Sequence, residues 1–119
     1  MRARFITASM LTLALWAGQS RAAEPSLNEI LADYENTALR ATVVSNLSSI
    51  ETALRWANSA LRAQRKSRRA LYCLPDDLTI EPHELISMLR DALWDEPRLG
   101  DRPIGFVVVV TLQRAFPCK

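Results

Sequence analysis

The chain has two cysteines among its 119 residues, and they bracket one continuous stretch that opens Tyr72-Cys73-Leu74-Pro75 and closes Phe116-Pro117-Cys118. Behind an export signal, a lone pair of cysteines is most simply read as one disulfide, because the compartment beyond the inner membrane is oxidising. A bridge from Cys73 to Cys118 encloses nearly half of the exported chain. In the chain-entropy model, closing a loop of about 45 residues withdraws on the order of 4 kcal/mol of freedom from the unfolded state. That is comparable to the whole stability of a small domain.

Residues 1–22 supply the export reading. Arg2 and Arg4 give a positive start, the run from Phe5 to Ala17 is apolar apart from Thr and Ser, and Ser20-Arg21-Ala22 places small residues where a signal peptidase reads. Cleavage after Ala22 is expected. The apolar run is shorter than the roughly 20 residues that cross a bilayer, so no stable membrane insertion is expected after cleavage. Without Arg2, Arg4 and Arg21, the 15 basic residues fall to 12 against 13 acidic ones, a net charge of −1. Global attraction to nucleic acid or anionic lipid therefore has no support. Residues 23–119 suffice for one domain with one modest core.

That domain reads as helical. Ser26 and Glu29 form a capping box ahead of Leu27, Ile30, Leu31, Tyr34 and Ala38 at helical spacing. A second series, Leu47, Ile50, Leu54, Ala57 and Leu61, has the same period. The weak helix formers Thr42, Val43, Val44 and Ser45 suggest a break within 36–45, with one long curved helix as the alternative. Arg62, Arg65, Lys66, Arg68 and Arg69 suit the C-terminal end of the second series, with a phosphate or acidic-partner site as the alternative. Pro82 suits the first turn of a third helix, with Glu81 and Glu84 at its positive end and Leu85, Ile86, Leu89 and Leu93 on its buried face. Pro97, Gly100 and Pro103 impose a loop. Residues 106–110 are rich in valine and favour strand by propensity, yet Ile104, Val108, Leu112 and Ala115 recur at helical spacing and a lone strand lacks a partner. Helix is expected, with Asp101 as its cap and Pro117 as its stop.

Chemistry is sparse. Both cysteines are expected to be oxidised, leaving no thiol nucleophile. His83, the one histidine, lies near Asp76, Asp77, Glu81 and Glu84 without the ligand spacing of a zinc or calcium motif, and reads as a surface residue of a capping turn. No glycine-rich phosphate loop is present, and no carboxylate pair stands out. No catalytic, metal or cofactor residue is therefore assigned. Trp56 and Trp94 are expected to be core or half-buried anchors; on an exposed face, an aromatic would instead suggest a partner interface.

Several of these residues recur together in a known family. Cys73-Leu74-Pro75 followed by Leu78-Thr79, the stretch from Leu89 to Leu93 ending before Pro97, Thr111-Leu112 leading to Ala115-Phe116-Pro117-Cys118, and upstream Trp56-Ala57-Asn58 with Leu71-Tyr72 are similar to the Rap/Tai-type immunity proteins. These are small periplasmic helical proteins that protect bacteria from peptidoglycan amidases delivered by type VI secretion. The match covers roughly residues 45–118. It implies an all-α domain of about four helices that performs no chemistry itself, blocks the active site of a cell-wall amidase effector, and forms a homodimer. By position, the turn at 76–81 (Asp76, Asp77, Glu81) and the loop at 95–102 (Asp95, Glu96, Arg98, Arg102) are the candidate contact surfaces, and their acid-rich character suits a basic cleft. The alternative is a small periplasmic chaperone or envelope-stress protein without a cognate toxin, which exposes apolar faces at acid pH.

Overall fold

The computed structural model describes residues 23–64 and 69–119. The expected signal peptide, residues 1–22, and three members of the basic run, Arg65, Lys66 and Arg68, lie outside them. Four helices form the architecture: α1 (Leu27–Glu35), α2 (Arg40–Ala63), α3 (Pro82–Asp95) and α4 (Ile104–Ala115), with a 3₁₀ turn at Pro97–Asp101 between the last two. No strand occurs among the described residues, so the valine-rich segment is helical, with Ile104, Val107, Val108, Thr111 and Leu112 facing the core. The period of three to four outweighs valine's preference for strand because every inward position is apolar or nearly so.

The Ser26 capping box is present. The Ser26 hydroxyl accepts from the Glu29 N–H at 3.3 Å, and the Glu29 carboxylate accepts from the Ser26 N–H at 2.7 Å. Hydrogen bonding to the carboxylate by Ser26 holds the Glu29 carboxyl below its ordinary pKa, the Ser26 backbone N–H having the larger effect and the Ser26 side chain the smaller. The chain breaks at 36–39, within the expected 36–45 interval and ahead of the weak helix formers, so α1 and α2 are not one continuous helix. Asn36 ends α1, and its side-chain oxygen takes the N–H of Ala38 at 3.0 Å, which diverts the backbone into a turn. Ala38 is thus exposed in the turn and not part of the first apolar stripe. Thr42 to Ser45 are helical in α2, because burying Val43 outweighs its weak propensity.

The inward stripe of α2 begins apolar with Val43 and Leu47 and ends polar with Glu51 and Asn58, while Ala57 is exposed. Asn58 ties down the next segment: its amide donates to the Tyr72 carbonyl at 2.7 Å and accepts from the Leu71 N–H at 2.6 Å. Tyr72 thereby enters the core as its largest fully buried side chain. One residue on, the Cys73 N–H donates to the Phe116 carbonyl at 2.8 Å, and Cys73 is bonded to Cys118 with their Cα atoms 4.9 Å apart. The expected pairing is therefore the one observed.

Pro82 opens α3, and Leu85, Ile86, Leu89 and Ala92 form its buried face. The expected cap of α4 is replaced. Pro103 occupies the capping position, and Asp101, drawn into the 3₁₀ turn, accepts instead from the Asn28 side chain at 3.4 Å. The Glu24 carboxylate, 81 residues away in sequence, takes the Gly105 N–H in the first turn of α4 at 2.7 Å. The segment before α1 is laced to the start of α4 by two further bonds, Ile104 N–H to the Pro25 carbonyl at 2.9 Å and Leu27 N–H to the Arg102 carbonyl at 3.1 Å.

Candidate protein interface

The seven residues expected to meet a partner fall into two separate places. Asp76, Asp77 and Glu81 lie before α3, and Asp95, Glu96, Arg98 and Arg102 lie at and beyond its far end. Fourteen helical residues, a rise of about 21 Å, separate them. They do not form one site.

At the first end, α2 and residues 79–85 enclose a groove of about 440 Å³. Leu47, Ile80 and Leu85 make its apolar floor, and Glu51, Arg55 and Trp56 line its α2 side. Glu51 is 8 % exposed, and one of its oxygens accepts from Arg55 Nη2 at 2.6 Å and Nε at 3.1 Å. A buried carboxylate needs such a partner, and this one keeps Arg55 along the groove wall. Arg55 also borders a smaller cavity of about 170 Å³ lined by Asn58, Arg62, Tyr72 and Leu78. Asp76 closes that side, its exposed carboxylate 3.8 Å from Arg62 Nη1, a contact too solvated to stabilise the fold appreciably.

Trp56 is 72 % exposed and Trp94 is 87 % exposed, so neither is the core or half-buried anchor expected from composition. Helical phase accounts for both positions. At about 100° per residue, Trp56 lies some 200° past Leu54, and Trp94 the same beyond Ala92, away from the buried stripes. That phase is written in the order of the residues, and it is the signal that composition alone misses. Tyr72 and Thr111 each carry a buried hydroxyl with no hydrogen-bond partner among the described residues. Burial raises the Tyr72 pKa, and the Glu51 charge adds to the effect.

At the second end one of the three carboxylates is engaged within the fold. The Glu96 carboxylate accepts from Arg114 Nη2 at 2.5 Å, and Arg98 and Arg102 lie close enough to act on it as well. The Arg114 hydrogen bond is the main reason its pKa is lowered, and the charges of Arg114, Arg98 and Arg102 act in the same sense. Around the pocket the loop therefore presents Arg98 and Arg102, while Asp95 and Asp101 lie exposed outside the lining.

Lowered carboxylate pKa values at Glu29 and Glu96 fix the sign of an acid response. Their contribution to stability is fully present above the ordinary glutamate value and is lost as pH falls through the lowered values of the folded state. The urea midpoint should therefore change little through these groups between pH 7 and about pH 5 and fall below about pH 4.3. In the E29Q/E96Q double variant the acid limb should be shallower; an unchanged limb would assign acid sensitivity to other groups.

Among the described residues no cluster of three or more His, Cys, Asp or Glu side chains is arranged to hold a metal ion, no cysteine is free, and no helix is long and apolar enough to cross a membrane. His83 is exposed in the first turn of α3. Comparison of the chain with protein-family models, curated proteins and solved structures finds no match.

Proposed function

We propose that this chain is a periplasmic protein-binding module of the immunity type, which neutralises a peptidoglycan amidase delivered by type VI secretion by covering its active-site cleft. The observation that carries the reading is Trp56, exposed beside an apolar groove on a frame braced by a disulfide. A large aromatic held on a rigid helix loses little entropy when a partner covers it, and tryptophan is among the side chains that most often dominate binding energy. The acidic edge formed by Asp76, Asp77 and Glu81 suits a basic rim around such a cleft. The resemblance of residues 45–118 to the Rap/Tai-type proteins is what suggests an amidase as the class of partner.

Trp56→Ala separates binding from folding. It should shift stability by no more than about 0.5 kcal/mol, since the side chain is mostly solvated. Affinity for the amidase should fall by about 30-fold or more, measured by calorimetry. In cells, deleting the gene should sensitise bacteria to their siblings' secreted toxin, and the wild-type copy should restore survival. Equal survival of deletion and parent strains would count against the proposal, and binding of many unfolded clients at acid pH would favour a chaperone instead.

A further inference from the structure

The far end of α3 carries a second surface that the groove does not use. The 3₁₀ turn and the outer side of α4 enclose a cavity of about 300 Å³ lined by Glu96, Arg98, Leu99, Arg102, Phe106 and Arg114. Its charge is unbalanced. Glu96 is the one carboxylate in the lining, and Arg114 occupies it at 2.5 Å. Asp101, in the same turn, does not line the cavity and bonds Asn28 on the α1 side. Arg98 and Arg102 have no ion-pair partner among the described residues, so three guanidinium groups meet one carboxylate. The Arg102 guanidinium carbon lies 6.0 Å from the centre of the Phe106 ring, which is half exposed. The result is a cationic rim over an aromatic and aliphatic floor.

We infer that this pocket docks an acidic segment of a protein partner, its carboxylates on Arg98 and Arg102 and a neighbouring apolar side chain on Phe106. The planar fork of arginine matches a carboxylate in two-point geometry, and a shallow apolar floor beside it suits a peptide that alternates acidic and apolar residues. Nucleic acid and anionic bilayers fit less well. They reward positive charge spread over a whole face, whereas residues 23–119 carry a net charge of −1 and this pocket is a local exception. The inference rests on the protein-binding reading for the nature of its occupant, but not on that partner being an amidase.

The test titrates the oxidised protein with a short synthetic peptide of alternating glutamate and phenylalanine, following the side-chain Nε–H signals of Arg98 and Arg102 by NMR. Parallel arms use the same peptide with lysine for glutamate, inorganic phosphate, and phosphatidylglycerol vesicles. The acidic peptide should shift both arginine signals, the lysine peptide neither, and added salt should weaken the effect. R98E/R102E, at exposed positions where the helical spectrum should be kept, should lower the affinity at least about tenfold. F106S should weaken it while leaving the salt dependence in place. No arginine shift with the acidic peptide, undiminished binding by R98E/R102E, or phosphate or vesicles binding as tightly as the peptide would each overturn the inference.

Discussion

Replacing Cys73 and Cys118 with serine is expected to lower the stability of this domain by about 4 kcal/mol, from the loop-closure entropy of a bond that spans 45 residues. A domain of this size is stable by only about 5–15 kcal/mol, so the melting temperature should fall by on the order of 20 °C. The bond matters for what it ties together. Cys73 follows residues 69–72, which are not helical and are fixed on one side by Asn58 and on the other by the Cys73 N–H bond to Phe116. Without the covalent link, the end of α4 and the segment that delivers Tyr72 to the core are held by those few hydrogen bonds and by packing. Circular-dichroism melts of the serine variant, and of the wild type with and without reductant, check this. A melting temperature unmoved by reduction would mean that non-covalent packing alone holds the two segments.

Tyr72 is the second place where a single change should have a large effect. Its side chain is 2 % exposed, so Tyr72→Ala removes the largest fully buried group and should cost about 3–5 kcal/mol through lost burial and the cavity left behind. Tyr72→Phe should behave oppositely. The phenolic oxygen is buried with no partner among the described residues, so deleting it removes an unsatisfied polar atom and should leave stability within about 1 kcal/mol of wild type or raise it. The raised pKa of Tyr72 gives the pair of variants a pH signature. A group whose pKa is higher in the folded state contributes stability that is complete below the ordinary tyrosine value, about 10, and is lost as pH rises through the folded value. Wild type should therefore weaken in alkali more than the Phe variant does. Urea titrations at neutral and alkaline pH report both effects, and a Phe variant as damaged as the Ala variant would place a hydrogen bond on that hydroxyl.

Local chemistry is well written in the sequence. The Ser26 capping box, the proline that opens α3 and the helical phase of Ile104, Val108 and Leu112 each depend on residues within a turn or two of one another. The cysteine pair is equally legible, because the chain offers no other partner for either thiol. What stays hidden depends on distant chain segments. The carboxylate that bonds the first turn of α4 comes from Glu24, and no local pattern points to it. Asn58 sits where an apolar residue would extend the stripe, and its role follows only from the two backbone groups that the 69–74 segment brings to it. The arginine pocket is hidden for a related reason: residues 95–102 show as many as three carboxylates, and only the arrival of Arg114 from α4 neutralises the central one. Trp56 is the opposite case. Its outward phase is present in the sequence, and hydrophobicity is the wrong guide to it.

If the disulfide-stapled helical frame works as proposed, it acts by covering the active site of a partner enzyme. The most direct measurement is hydrolysis of isolated peptidoglycan by a type VI amidase secreted by the same cells, with increasing amounts of oxidised protein. Hydrolysis should be lost at an equimolar ratio, and most of it should return when W56A is added in place of the wild type. Undiminished hydrolysis with excess wild-type protein, or equal inhibition by wild type and W56A, would contradict the proposal.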